Sequence, residues 1–479
     1  MPAARNSLLI FIVLLSIAIG SSTLTRGHEW GDDFASYIMQ AQSIVDGRTK
    51  EFVEHNAFTI SQSSILIGPV AYPWGYPLLL TPAIIFKGIH PLTLKLPGLL
   101  SFIGFLICLF LVTRDRLTAP ESLLLLSLFA FNPTLIKFLD QILSDIPFLF
   151  SIFLGLLLIT KLEQERWHYV TLGVVMFFAF FIRTTGIILL ASFLIHQAFR
   201  FYTYQNERKT ILLNSALSVI TFGLLWFISA QVFPNGQGTY FEQLKGLTPT
   251  IFLTNISGYI SLFGIFLGSG PAWTYLFYTL AVFFLIGVWM RRNVDQILII
   301  FCVLYFLAML FWPEWQGMRF LFPILPIFVY LAFQGIRIVI TKLPEKYYMV
   351  GERTIYSFWL LIIGVFFLSS SSHAYANLQD NRKINGPFDP FSTDVYNYIR
   401  AETPADSVIV FFKPRAMRLF TNRETLMSLD CARLPLGDYV VISKKAENSQ
   451  VPPDEIDKCG LALKNLFENQ RFIIYEVPK

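Results

Sequence analysis

Apolar residues in this chain run in long unbroken blocks, without the alternation of a half-buried strand or the narrow stripe of a soluble helix. The first block, SLLIFIVLLSIAIGSSTL, follows Arg5. Blocks of this kind approach the roughly 20 residues an α-helix needs to cross a bilayer, where a helix satisfies its own backbone groups. The pattern predicts spans near residues 7–24, 93–113, 121–137, 145–161, 168–182, 185–200, 211–232, 273–290, 295–312, 320–341 and 354–371. The first block reads either as a cleaved signal peptide or as an uncleaved span. The span is the better reading, because acidic residues follow closely and many further spans come after.

Cations between the blocks set the expected orientation. With the N-terminus inside, alternate connections hold Arg114 and Arg116, Lys161 and Arg166, Arg200, Arg208 and Lys209, Arg291 and Arg292, and Arg337, Lys342, Lys346 and Arg353. That is the positive-inside bias of short loops. Three larger pieces then fall outside. A first outer loop, 25–92, ends in AYPWGYPLLLTPAIIF, which is short, proline-punctuated and aromatic, and so predicts an interfacial or re-entrant helix. A second outer loop, 233–272, carries segments expected to lie on the membrane or half-inserted. A tail, 372–479, is long enough for a small domain. In the tail DVYNYIRAE predicts a helix, and VIVFF, DYVVIS and RFIIYEV predict strands. The expected architecture is therefore a polytopic α-helical membrane module, 1–371, of about 11 spans, with a small extracytoplasmic C-terminal α/β domain, 372–479. No internal repeat is visible.

Composition agrees. The chain is 54% hydrophobic and only 14% charged, with 48 Phe among 479 residues, which excludes an ordinary soluble protein. The net charge of +5 belongs to the loops and reads as topology, with no nucleic-acid partner implied. Cys108 and Cys302 lie in apolar runs and read as packing residues. Cys431 and Cys459 lie in the polar tail and can pair if that tail is extracytoplasmic. No Cys/His cluster has zinc-ligand spacing.

Candidate chemistry gathers at the predicted outer edge. Asp32 and Asp33 follow the first span in GDDFASYIMQAQSI, with Tyr37 just after. A carboxylate there stays hydrated enough to ionise and accept a proton from a hydroxyl. On a helix, neighbours point about 100° apart, so the expectation is that one acid is catalytic and the other supports it or binds a metal. The plainer reading is an acidic helix cap. Asp140 and Asp145, in FLDQILSDIPFLF, reach another outer edge. Arg319, in GMRFLFPILP, and Arg183, in FFIRTTGIILL, lie at outer edges against the positive-inside trend. A guanidinium at headgroup depth suits a phosphate, although either can simply snorkel. Tyr72, Trp74 and Tyr76 either line a substrate path or anchor at the interface. His28 and His55 carry no recognisable ligand spacing.

Taken in order, GDDFASY after the first span, YPWGYPLLL closing the first loop, LSDIPF before an early span and GMRFLFPILP before a late one resemble the GT-C superfamily of membrane glycosyltransferases. The resemblance covers nearly the whole chain. It lies near the bacterial relatives of protein O-mannosyltransferases and of the lipid A aminoarabinose transferase. VYNYIRAETPADSVIVFF resembles the extracytoplasmic tail of many bacterial members. Where the aminoarabinose transferases carry a Lys-Pro-Pro run, this chain has Tyr-Pro-Trp-Gly-Tyr-Pro.

The resemblance implies a multi-pass protein of the cytoplasmic (inner) membrane. It would move a sugar from a polyprenyl-phosphate donor to a glycan, lipid or protein hydroxyl, with inversion. It implies Asp32, or else Asp33, as general base, and Arg319 with Arg183 at the donor phosphate. Asp145 and Asp140 would support the acceptor or a metal; whether a divalent cation (Mg2+, Mn2+ or Zn2+) takes part is left open. Tyr37, Tyr72, Trp74 and Tyr76 would line the substrate. The competing classes are a transporter or flippase of lipid-linked sugars, which favours midplane charges and inverted repeats, an O-antigen polymerase or ligase, and a non-catalytic assembly protein.

Overall fold

A computed structural model describes residues 2–161, 165–234, 248–313, 315, 317–380, 384–445 and 447–478. Apolar helices form most of it. They are α1 (Pro2–Thr23), α5 (Pro91–Thr113), α6 (Ala119–Ala130), α7 (Pro133–Leu139), α8 (Asp145–Thr160), α9 (Arg166–Ile182), α10 (Ile187–Thr203), α11 (Arg208–Val232), α12 (Pro249–Leu267), α13 (Pro271–Arg291), α14 (Gln296–Leu310), α15 (Leu325–Thr341) and α16 (Glu345–Asp380). Between α1 and α5 lie three shorter helices, α2 (Asp33–Val45), α3 (Thr49–Gln62) and α4 (Gly75–Lys87).

Among the described residues seven helices are long and apolar enough to cross a membrane, and α6 with α7 makes an eighth candidate bent by 50°. Each of the eleven predicted spans coincides with a helix or with that bent pair. The stretch read as a second outer loop differs. Pro249–Leu267 is helical, with length and hydropathy sufficient to cross, while residues 235–247 of that loop lie outside the described residues. Asn255 of α12 donates to the carbonyls of Leu310 and Trp312 at the end of α14, at 3.1 and 2.7 Å. Near the other end, Asn132 at the α6–α7 bend donates to Phe266 O. The predicted interfacial helix is α4, 13 residues with Pro82 inside it and Ile85 and Phe86 exposed.

Close approach between helices rests on small residues. A Cβ on Gly287 of α13 would collide with the Leu331 carbonyl of α15, and one on Gly335 would collide with the Phe283 carbonyl. The two glycines therefore let the backbones touch, the usual way apolar helices gain contact without a hydrophobic driving force between them. One end of the bundle is tied by a buried carboxylate. Asp295 accepts from Arg116 Nε and Arg291 Nε, each at 2.8 Å, and from the Tyr330 hydroxyl at 2.7 Å.

The opposite end carries α2–α4 and the C-terminal domain. α16 runs unbroken past residue 372, so the last span and the start of the tail are one helix. The domain then adds α17 (Pro390–Glu402), α18 (Pro414–Thr421) and strands β1 (Val408–Val410), β2 (Glu424–Leu426), β3 (Tyr439–Ser443), β4 (Lys464–Glu468) and β5 (Phe472–Glu476). Strand order is β2-β1-β3-β5-β4, with the first three parallel and β5 antiparallel to both neighbours. Alternate side chains feed two cores. Ile409, Val441 and Ile474 meet Tyr396 and Ile399 of α17, while Val410, Val440 and Ile442 meet Leu434 and Ile456. The predicted helix and three strands are present. β2 and β4 were missed, one being three residues long and the other mostly polar. Cys431 and Cys459 are disulfide-bonded.

This domain is stitched to the first loop. Ser64 N donates to Met427 O, and Met427 N returns a bond to Ser63 Oγ. Arg433 reaches Gln62 O at 2.7 Å. Trp30 sets its ring edge-on to Phe412 and Phe411.

Candidate active site

A cavity of about 360 Å³ opens where α2, the 65–73 segment, the α9–α10 connection, the Met318–Leu321 turn and the C-terminal domain meet. Its polar wall holds Asp32, Asp33, Tyr37, Tyr72, Arg183, Arg319 and Lys413.

Asp32 occupies the N-cap position of α2, and its backbone carbonyl takes the first helical bond from Ser36. Asp32 thus holds the cap position of the plainer reading, but its side chain makes no cap bond. The carboxylate instead faces the C-terminal domain: Oδ1 accepts from the backbone N–H of Arg415 at 3.3 Å, and Oδ2 lies 4.0 Å from Lys413 Nζ. Burial pushes this carboxyl up to about 6, against the pull of Lys413 and Arg415.

Asp33 is committed differently. Arg319 donates to its Oδ2 through both terminal nitrogens, at 3.0 and 3.1 Å. Tyr72 donates to its Oδ1 at 2.6 Å. Burial acts to raise the Asp33 carboxyl, but the Arg319 charge and these hydrogen bonds hold it below its ordinary value. The neighbours thus differ in kind, one ionised and engaged, the other poised near neutrality.

Arg183 pairs with Asp145 at 2.5 Å. Its guanidinium lies 4.2 Å from the centre of the Phe320 ring, and that of Arg319 lies 5.5 Å from the same centre. Two guanidiniums are therefore held beside one ring. Asp145 is buried behind Arg183 and does not line the cavity. Its second oxygen has no hydrogen-bond partner among the described residues.

Asp140 is not brought to the site. It forms a fully buried pair with Lys95 at 2.6 Å and accepts from Thr25 N and Oγ1. The arrangement pins the exit of α1 to α5 and α7. Tyr37 and Tyr72 line the cavity, Tyr37 also bonding Ser144 Oγ at 3.0 Å. Trp74 and Tyr76 are buried outside it. Trp74 stacks on Phe233 and donates to Pro234 O, while Tyr76 sits edge-on to Tyr37. His28 is a core residue whose Nε2 accepts from Ile142 N, and His55 contacts Glu424 and Glu51.

Sequence reasoning missed Lys413 and Arg415. Arg415 is fully buried, yet it donates to Asn56 Oδ1, Ile67 O and Pro69 O, the last at 2.6 Å. It therefore holds the cavity wall from the far domain. The signal was KPRAMR directly after a predicted strand, which by itself looks like a solvated helix.

No group of three His, Cys, Asp or Glu side chains gathers among the described residues, and arginines occupy the facing oxygens of Asp33 and Asp145.

Bundle, first-loop helices, appended α/β domain and charged cavity together define a polytopic membrane protein with the GT-C fold. The chain is similar in structure to ArnT from Cupriavidus metallidurans bound to undecaprenyl phosphate, with TM-score 0.61, 12% identity and 97% of each chain covered. It is similar also to the apo oligosaccharyltransferase of Archaeoglobus fulgidus, with TM-score 0.59, 14% identity, and 92% of this chain and 69% of that one covered. The same archaeon's oligosaccharyltransferase AglB, in complex with an inhibitory peptide and a dolichol-phosphate, aligns at TM-score 0.54 and 12% identity, over 88% of this chain and 64% of that one. No family model and no curated protein matches the sequence.

Proposed function

We propose that this protein is an inverting glycosyltransferase that moves a sugar from a polyprenyl-phosphate donor to an acceptor hydroxyl. It works at the extracytoplasmic face of the cytoplasmic membrane. The observation that carries this reading is the division of labour in one cavity. Asp32 accepts no side-chain hydrogen bond among those described, while Arg319 and Arg183 flank Phe320 in the lining of the same cavity. The ArnT and AglB structures bound to undecaprenyl phosphate and to a dolichol-phosphate lend it support. The disulfide between Cys431 and Cys459 supports an extracytoplasmic domain, since such bonds persist in oxidising compartments.

In the reaction the acceptor oxygen attacks the anomeric carbon as its proton passes to Asp32. The bond from that carbon to the phosphate oxygen breaks on the opposite side, which inverts the centre. The electron pair leaves on the lipid phosphate, where Arg319 and Arg183 stabilise the developing charge. Asp33 holds Arg319 in place. Asp145 does the same for Arg183.

The test is transfer by purified protein in nanodiscs, with labelled polyprenyl-phosphate sugars offered to envelope glycans, lipids and peptides. A new glycosidic bond of inverted configuration supports the reading. Movement of the lipid-linked sugar across a vesicle, with no new bond formed, would overturn it in favour of a transporter.

A further inference from the structure

The acid on α2 does not stand alone. Its nearest cation comes from the other end of the chain: Lys413, the residue that caps α18, lines the cavity with Nζ 4.0 Å from Asp32 Oδ2. Two residues on, Arg415 anchors this arrangement. Its backbone N–H bonds Asp32 Oδ1, and its side chain is locked among Asn56, Ile67 and Pro69. The pair therefore sits at a fixed place against the carboxylate. Lys413 itself is about a quarter exposed, with side-chain accessibility 26%.

We propose that Lys413 is a positioning residue of the active site: the C-terminal domain supplies the cation that keeps Asp32 ionised and aimed at the acceptor. The base is then shared between two domains, and the cavity is incomplete without the tail. This rests on the reading of Asp32 as general base. The charged and titratable groups facing Asp32 are Lys413 and Arg415 from the domain and Asp33 from its own helix, with Arg319 and Tyr72 acting through Asp33. Asp33 opposes ionisation of its neighbour. Its charge is already met by Arg319, which leaves Lys413 as the side chain whose removal changes Asp32 most directly.

Removing an opposite charge at this distance moves a carboxyl upward, by about one pH unit or more. Two variants separate the roles. Lys413→Met keeps the length and removes the charge; Lys413→Arg keeps the charge. The readout that does not depend on turnover is the protonated-carboxyl stretch in infrared difference spectra of the full protein in nanodiscs. It is assigned to Asp32 by its loss in Asp32→Asn. We expect the Asp32 midpoint to rise in Lys413→Met and to stay near the wild-type value in Lys413→Arg. The acid limb of the kcat/KM profile should move by the same amount. A midpoint unchanged in Lys413→Met overturns the proposal. So does a rise in KM with an unmoved profile, since Lys413 would then be a substrate contact. A wild type that titrates as described but transfers no sugar overturns the proposed reaction while leaving this electrostatic link standing.

Discussion

Arg319 donates through both terminal nitrogens to a single oxygen of Asp33, at 3.0 and 3.1 Å, although 286 residues separate the two in the chain. The contact ties the helix that follows the first span to the turn that precedes α15. It also decides between the two adjacent acids. A carboxylate held by an arginine and a tyrosine hydroxyl is a poor proton acceptor, whereas Asp32 Oδ2 lies 4.0 Å from Lys413 Nζ and accepts no side-chain hydrogen bond among those described.

Substitution of Arg319 by Lys keeps the charge but loses the planar fork. We expect kcat to fall about 100- to 1,000-fold, the range for losing one preorganised donor to developing charge. Steady-state kinetics on Arg319→Lys, with folding checked by size exclusion, makes the comparison. An Arg319→Lys enzyme of wild-type rate would remove Arg319 from the phosphate.

The pH dependence of activity follows from Asp32. Its carboxyl titrates near 6, so kcat/KM should fall as pH drops through about 6 and level off above it. Stability runs in opposite directions for the two acids. Asp32 is raised, so its neutral form favours the fold; that contribution is fully present below the ordinary carboxylate range and is lost as pH rises through about 6. Asp33 is lowered, so its contribution is present above the ordinary range and is lost as pH falls. At pH 8, Asp32→Asn should therefore raise Tm and Asp33→Asn should lower it, as thermal unfolding in detergent would show.

Asp140 is a structural acid. Breaking its buried pair by Asp140→Asn or Lys95→Met should cost about 3–5 kcal/mol, because the partner charge is stranded. The double variant Lys95→Met with Asp140→Leu should recover much of that and retain turnover. Loss of turnover in a stable double variant would return Asp140 to the catalytic group.

The Cys431–Cys459 bond closes a stretch with sequence separation 28. Changing both residues to Ser should cost the C-terminal domain about 2–4 kcal/mol. Limited proteolysis of the wild type and the double Ser variant should show faster cleavage in the 429–463 region of the variant.

The membrane architecture was legible because bilayer thickness imposes block lengths that few other folds share. Even so, Pro249–Leu267 falls in a stretch expected to lie on the membrane or half-inserted: a helix with apolar residues on all sides but polar Thr, Asn and Ser along it has no sharp hydropathy edge. Asp32, Asp33, Arg183 and Arg319 were legible from sidedness, as charges at the ends of apolar blocks where their hydration is costly. What distinguishes them was not, since Asp33 and Arg319 meet only in three dimensions. Asp140's buried partner goes unread in the sequence, although Lys95, a lysine inside an apolar block, marks it. Lys413 and Arg415 carry no such mark. Their positions in a polar tail are ordinary, and only the packing of α18 against α2 brings them to the cavity. Trp74 and Tyr76 share the interfacial composition of Tyr72, but the turn into α4 buries them and leaves Tyr72 on the wall.

The most direct test is sugar transfer measured side by side for wild type, Asp32→Asn and Asp33→Asn at pH 8, with a polyprenyl-phosphate donor. A general base contributes about 100- to 10,000-fold. The account predicts a loss of that size in kcat for a folded Asp32→Asn with little change in donor KM, and a joint change in kcat and KM for Asp33→Asn through Arg319. Undiminished turnover in Asp32→Asn would contradict it and move the base elsewhere in the cavity.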